Sequence, residues 1–185
     1  MIKSDLESVW LLFIKESEAI TGIVPFHAER ASTLRHVEIC KIIANASRFV
    51  DPRLVNGLIT GKNREWGNLL RSGTEGALRT VIPSAEFMPK LFEQWILDAH
   101  EGLGLMIRSS EHDITDWAWA LHDRLICIHP FKTGNGRTAR LMFNHLRCLL
   151  KQKVYVINNE EADKYYSRLE QYREQHFLPS LVQIH

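Results

Sequence analysis

Neither sign of charge dominates this sequence: 23 lysines and arginines stand against 22 acidic residues, for a net charge of +1. That balance gives no support to a general nucleic-acid or membrane-surface role. Cysteine is scarce. Cys40, Cys127 and Cys148 are odd in number and far apart, so no disulfide framework or metal-ligand spacing is present, and all three read as reduced core thiols. No apolar run reaches the length of a membrane span. The run from Val9 to Ile14 is too short for a signal peptide and carries no small-residue cleavage site. The expected location is therefore the cytoplasm of the producing cell. Repeats and low-complexity tracts are lacking too, which excludes solenoids and disordered linkers. Nine histidines show no HExxH or HxxxH pairing, so a metalloprotease is excluded and no metal-binding set stands out.

What is present is helical periodicity in a chain of 185 residues, a length that suits one domain with its own core. A first amphipathic helix is expected over residues 4–17, with Leu6, Val9, Trp10 and Phe13 on one stripe and Thr21-Gly22 and Pro25 as stops. A second is expected over 28–50, with Leu34, Val37, Ile42 and Phe49 as apolar positions. Residues 51–82 are glycine-rich and suggest a small hairpin, closed by Pro83. Helix resumes over 86–100, with Phe87, Leu91, Trp95 and Ile96 inward. Ser109-Ser110-x-x-Asp113 starts another helix over 113–128. Trp117, Leu121, Leu125 and Ile128 define its face, and Arg124 on that seam needs a partner or must snorkel. Trp66, Trp95 and Trp117 read as packing residues, and Trp119, off the stripe, as a surface contact. His129-Pro130 ends that helix. After Gly134-Asn135-Gly136, read as a tight turn, helix runs from Arg137 to about 152, and a last one spans about 160–175.

The chemistry concentrates in His129-Pro-Phe-Lys-Thr-Gly-Asn-Gly-Arg-Thr-Ala-Arg140. Free N–H groups at a helix start and in a glycine-rich turn converge on an anion, and the helix dipole adds to them. Glycine lets backbone approach phosphate oxygens. Arg137 and Arg140, three apart, share one side of the first turn and can reach phosphate oxygens with paired hydrogen bonds. His129 lies across the turn, and histidine is the side chain that exchanges a proton near neutral pH.

The same segment resembles the motif of the Fic family, His-x-Phe-x-(Asp/Glu)-Gly-Asn-Gly-Arg-x-x-Arg. His129, Phe131, Gly134, Asn135, Gly136, Arg137 and Arg140 match it. The likeness extends over about residues 9–178. It implies a mainly α fold, a Fic-like helical bundle with a small β-hairpin flap, near residues 68–82, beside the active-site loop. The whole of 1–185 would then be a single Fic-like domain. The resemblance also implies a protein adenylyltransferase that moves AMP from ATP onto a Ser, Thr or Tyr hydroxyl of a protein target. His129 would be the general base and Phe131 an anchor beneath the loop. Gly134, Asn135 and Gly136 would cradle the α- and β-phosphates, with help from the Asn135 side chain. Arg137 and Arg140 would hold the β- and γ-phosphates. Neither nucleic acid nor membrane is an expected partner, and a homodimer is left open.

Two positions depart from the family pattern. Thr133 stands where the family has the carboxylate that holds Mg²⁺, and a neutral hydroxyl binds that ion more weakly. Lys132 adds positive charge beside it. Within 4–22, Ser17-Glu18-Ala19-Ile20-Thr21-Gly22 is similar to the family's inhibitory-helix pattern, (Ser/Thr)-x-x-x-Glu-(Gly/Asn), but with Thr21 in the glutamate position. On that likeness Arg140 has lost its inhibitory partner. Two alternatives stay open beside the adenylyltransferase: a Fic-fold module that binds a nucleotide or protein without turnover, and a transferase of another phosphate-linked group.

Overall fold

The computed structural model describes residues 2–22, 31–61, 70, 71 and 82–179. They form helices α1 (Ile2–Ile20), α2 (Ala31–Asn45), α3 (Pro52–Thr60), α4 (Met88–Met106), α5 (Glu111–Ile128), α6 (Asn135–Leu149) and α7 (Ala162–Tyr172). A 3₁₀ turn, Asn159–Glu161, leads into α7, and a π-helical turn, Arg173–Phe177, continues it. The fold is mainly helical. No strand occurs among the described residues. The expected hairpin near 68–82 lies outside them, apart from Leu70, Arg71 and Ile82.

Local chemistry accounts for the helix ends. Ser110 and Asp113 form the expected capping box, with the Ser110 hydroxyl accepting from the Asp113 N–H, so α5 begins two residues earlier than its apolar face indicated. Helix α3 was not expected at all. Asp51 caps it by accepting from the Arg53 N–H at 2.7 Å, Pro52 occupies its first turn, and Gly61 ends it in the left-handed conformation at φ 76°. Of the glycines in the 51–82 stretch, Gly57 lies in this short helix and Gly61 ends it.

Helix α2 also turns a different face inward. Thr33, His36, Ile39, Cys40 and Ile43 are buried, whereas Leu34 and Ile42 are exposed. The polar pair Thr33 and His36 goes inside because both meet the Glu18 carboxylate of α1. The other faces follow the pattern: Phe13 and Ile14 from α1, Leu91, Phe92 and Trp95 from α4, Leu121, Leu125 and Ile128 from α5 meet in one core. Arg124 finds its partner in Asp98 of α4. Trp119 is no bare surface contact: its ring packs on Phe143 at 4.2 Å and carries the Arg168 guanidinium at 3.6 Å. Cys40 and Cys127 are buried free thiols and Cys148 is half-buried.

Helix α6 is the hub, in contact with α1, α2, α3, α4 and α5. It is buried on nearly every side although it carries Asn135, Arg140, Asn144, His145 and Arg147. Each of these needs a hydrogen-bond partner inside. The Asn144 amide pairs with both backbone groups of Tyr155, at 3.0 and 2.7 Å. His145 Nε2 accepts the Val50 N–H at 2.8 Å, which requires an unprotonated nitrogen.

Burial holds His145 at a pKa of about 4, and burial likewise lowers His122 to about 4 against the opposing pull of Asp123. Both are neutral in the folded chain, and both would take a proton near pH 6.5 when unfolded. Between those limits the unfolded state binds more protons, so stability falls as pH drops. The melting temperature is expected to decline steadily below about pH 6.5, with a slope of up to about 1.4 kcal/mol per pH unit for each histidine. His145→Gln, whose carbonyl can still accept from Val50, should remove the His145 share of that slope and make the profile shallower. A flat profile from pH 7 to 4.5 would show that these histidines charge in place.

Candidate nucleotide site

The loop 129–134 joins α5 to α6, and its shape is set from four directions. His129 ends α5 in a left-handed conformation, φ 51° and ψ 55°, with its N–H on the Leu125 carbonyl. That conformation is uncommon for a residue with a side chain and marks a spot where the surroundings impose the backbone. Arg71 supplies much of that constraint. Its Nε donates to the His129 carbonyl at 2.7 Å and its Nη2 to the carbonyls of Pro83 and Ile128, at 2.5 and 3.3 Å. A cation thus sits on the carbonyl end of α5, where the helix dipole favours it. The Arg71 N–H bonds the Pro130 carbonyl, and Leu70 makes an antiparallel bridge with Phe131.

Phe131 is fully buried edge-on against Phe92, with ring centroids 5.4 Å apart. Asn135 closes the loop from the other end. Its Oδ1 accepts from the Phe131 N–H at 2.9 Å and its Nδ2 donates to the Phe131 carbonyl at 2.7 Å. The amide expected to help with phosphates is thus engaged in fixing the loop. Asn56 of α3 holds the middle, donating to the Thr133 carbonyl at 2.9 Å and to Thr138 Oγ1 at 3.0 Å.

Helix α6 begins at Asn135, two residues before the expected start, and Gly134 is its N-cap. Gly134 has φ 79°, and a Cβ there would meet Asn56 and Thr60 at 3.0 Å, so position and packing both require glycine. The first intrahelical bond runs from Thr138 N–H to the Gly134 carbonyl. The N–H groups of Asn135, Gly136 and Arg137 therefore have no intrahelical acceptor and face outward at the positive end of the dipole. Half-buried Arg137 stands in the same first turn. Its guanidinium is partly desolvated, which lowers its pKa, while Glu18 opposes the shift and Arg140 and Arg35 add to it. Three arginines, a helix start and the exposed Lys132 thus make one cationic end.

Arg140 lies near enough to Arg137 for the two charges to repel. It is only 2% exposed, and it turns under Gly136, where an added Cβ would lie 3.2 Å from Nη1. Its Nε donates to Ser17 Oγ at 2.9 Å, its Nη2 to the Ser17 carbonyl at 2.8 Å and its Nη1 to the Tyr165 hydroxyl at 3.3 Å. On α1 the carbonyl and hydroxyl of Ser17, rather than a glutamate, occupy Arg140. Thr21 folds back onto its own helix, donating to the Glu18 carbonyl at 2.8 Å.

One turn before Thr21, Glu18 is fully buried. Its oxygens accept from Thr33 Oγ1 at 2.9 and 3.1 Å, and His36 Nδ1, whose ring burial lowers in pKa, lies 3.7 Å away, beyond hydrogen-bond reach. Burial would raise the Glu18 pKa, but His36, Thr33 and the charge of Arg137 outweigh it and the net shift is downward. Sequence reasoning did not single out Glu18, Asn56 or Arg71. Only the first could have been found, as an acid at one-turn spacing from the pattern position.

Thr133 is exposed, and its one contribution to a cation would be a neutral hydroxyl. Among the described residues no group of three His, Cys, Asp or Glu could hold a metal. The donor set at the loop does not fit a resident Mg²⁺. No helix among the described residues is long and apolar enough to cross a membrane.

Comparison with known proteins gives concordant matches. The Fic/DOC family model matches residues 34–146. A protein adenylyltransferase Fic of Drosophila persimilis is 37% identical over 75 residues, 40% of this chain and 13% of that protein. The Drosophila melanogaster protein of the same name is 35% identical over 75 residues, 14% of its length. The chain thus spans about one seventh of the curated relatives it matches. Among solved structures, a Fic domain containing signaling protein from Bacteroides thetaiotaomicron superposes with a TM-score of 0.75 at 20% identity, covering 94% of this chain and 76% of that one. Fic-1 (aa134 - 508) from C. elegans gives 0.66 at 17%, covering 92% and 57%.

Proposed function

Because this chain belongs to the Fic/DOC family, we propose that it is a protein adenylyltransferase, transferring AMP from ATP to a Ser, Thr or Tyr hydroxyl of a protein target. The observation that carries this reading is that one short loop joins His129, at the end of α5, to the N-terminus of α6 with Arg137 in its first turn. The α6 N–H groups and Arg137 would receive the phosphates. His129 would accept the proton as the target oxygen bonds the α-phosphorus. The bond from that phosphorus to the bridging oxygen breaks in the same displacement, and pyrophosphate leaves with the electron pair. No step here runs through a metal ion.

The second reading, a nucleotide- or protein-binding module without turnover, is favoured by one observation: Arg140 is occupied by Ser17 while Thr133 offers no charge. Incubation with labelled ATP and cell lysate separates the two. Label on protein supports transfer, and ATP binding without label supports the module.

Arg137→Ala tests the site itself. Loss of its charge-assisted bonds, each worth about 1.5–3 kcal/mol, should weaken ATP binding by about ten- to a hundred-fold in isothermal titration. Unchanged affinity would place the phosphates elsewhere.

A further inference from the structure

A line of buried polar side chains leaves Arg140 on the side away from Ser17 and ends at the surface. Arg140 Nη1 donates to the Tyr165 hydroxyl at 3.3 Å, and that hydroxyl lies 3.3 Å from His122 Nε2. His122 Nδ1 lies 2.7 Å from Asp123 Oδ1. Asp123 accepts a two-pronged pair from Arg168, at 2.7 and 2.9 Å. Arg168 stacks on Trp119 and borders a cleft of about 220 Å³ that Tyr155 and Lys164 also line.

Every proton in this line has one consistent place. Asp123, paired with Arg168, is an acceptor only, so His122 must donate from Nδ1. Burial keeps His122 neutral, which leaves Nε2 as an acceptor. The single Tyr165 hydrogen goes to that nitrogen, and the phenol oxygen is left to accept from Arg140. The line has a direction as a result, and Tyr165 is the residue that turns it onto the guanidinium. Tyr165 is also the one hydrogen-bond partner of Arg140, among the described residues, that does not belong to α1. Its ring stands against the Arg140 guanidinium as well, 5.9 Å from centroid to Cζ. Its neighbour Tyr166 bonds the Ile20 carbonyl at 2.9 Å, so α7 holds both Arg140 and the end of the helix that occupies it.

We infer that Tyr165 is the positioning residue for Arg140 in nucleotide binding, fixed in its turn by His122 and Asp123. The inference rests on the reading of Arg137 and Arg140 as the arginines for the outer phosphates. Tyr165 touches no substrate. It sets where the guanidinium lies and keeps one anchor on it when the Ser17 contacts give way to a ligand.

Tyr165→Phe removes one oxygen and leaves the ring in place. In isothermal titration its affinity for ATP should fall about ten-fold, the loss of one hydrogen bond to a charged group, while its affinity for AMP stays at the wild-type value. A ring that served the core alone would change neither, or would change both together, and either result overturns the inference. If the variant melts without cooperativity, the wild type still decides. The His122 Nε2 resonance of ¹⁵N-histidine protein should move on addition of ATP and stay put with AMP, and no movement with ATP overturns the inference. Wild-type protein that binds no ATP would instead remove the nucleotide reading, and this inference with it. Unchanged ATP affinity in Tyr165→Phe beside a binding wild type removes this inference alone.

Discussion

Alanine at His129 is expected to lower AMP transfer by about 10²–10⁴-fold, the usual contribution of a positioned general base, and to leave ATP binding intact. The reason lies in how the loop is built. The His129 backbone is held in its left-handed turn by its N–H on Leu125 and by Arg71 on its carbonyl, neither of which involves the imidazole. The phosphate-facing groups belong to α6 and are fixed by Gly134, Asn56 and Asn135. Removal of the ring should therefore delete the proton acceptor while the nest for the phosphates keeps its shape. Single-turnover labelling of a target at saturating ATP would read the loss, and titration of the same variant would read the binding. Full labelling by His129→Ala would end the general-base assignment. Loss of ATP affinity together with labelling would mean that the imidazole belongs to the binding site rather than to the chemistry.

The helix pair around the loop was legible because its apolar residues recur with helical period and its ends carry their own punctuation: Ser110 and Asp113 at the start of α5, Pro130 after its end, Gly134 at the start of α6. Helix α3 was not, because five glycines between 51 and 82 outweighed the Asp51-Pro52 start and the Gly61 stop. The inward face of α2 was misread for a different reason. Apolar period marks Leu34 and Ile42, but Thr33 and His36 are inside because they meet Glu18, and an interaction 15 residues away leaves no periodic mark.

The site shows the same division. The seven matched motif residues stand on one loop and helix turn, but their roles depend on direction, which spacing cannot give. Asn135 faces the loop backbone, and Arg140 faces α1 and α7. Arg71 and Asn56 act on backbone carbonyls 58 and 77 residues distant, so nothing in the local sequence of either announces its task.

Thr133→Asp should raise transfer by about ten- to a hundred-fold, and only with Mg²⁺ present, because a phosphate-bridging cation contributes several kcal/mol to charge neutralisation as pyrophosphate leaves. Thr133 is exposed beside the α6 N-terminus and its carbonyl is already tied to Asn56. A carboxylate there needs no rearrangement of the loop. It would add an anion where the wild type offers Lys132 and a hydroxyl, and would supply the charged ligand that a hard divalent ion requires. Thr21→Glu should act in the opposite direction. Position 21 lies one turn beyond Ser17 and Glu18, at the end of the helix whose Ser17 already occupies Arg140. A second acid there would compete with the outer phosphates for the cationic end that Glu18 already faces. The double variant should bind ATP more weakly than Thr133→Asp and transfer more slowly. Strong Mg²⁺-independent labelling by the wild type, with no gain from Thr133→Asp, would show that Arg137, Lys132 and the α6 N-terminus neutralise the phosphates by themselves. Absence of labelling from both forms, with ATP still bound, would move the protein to the module that holds a nucleotide without turning it over.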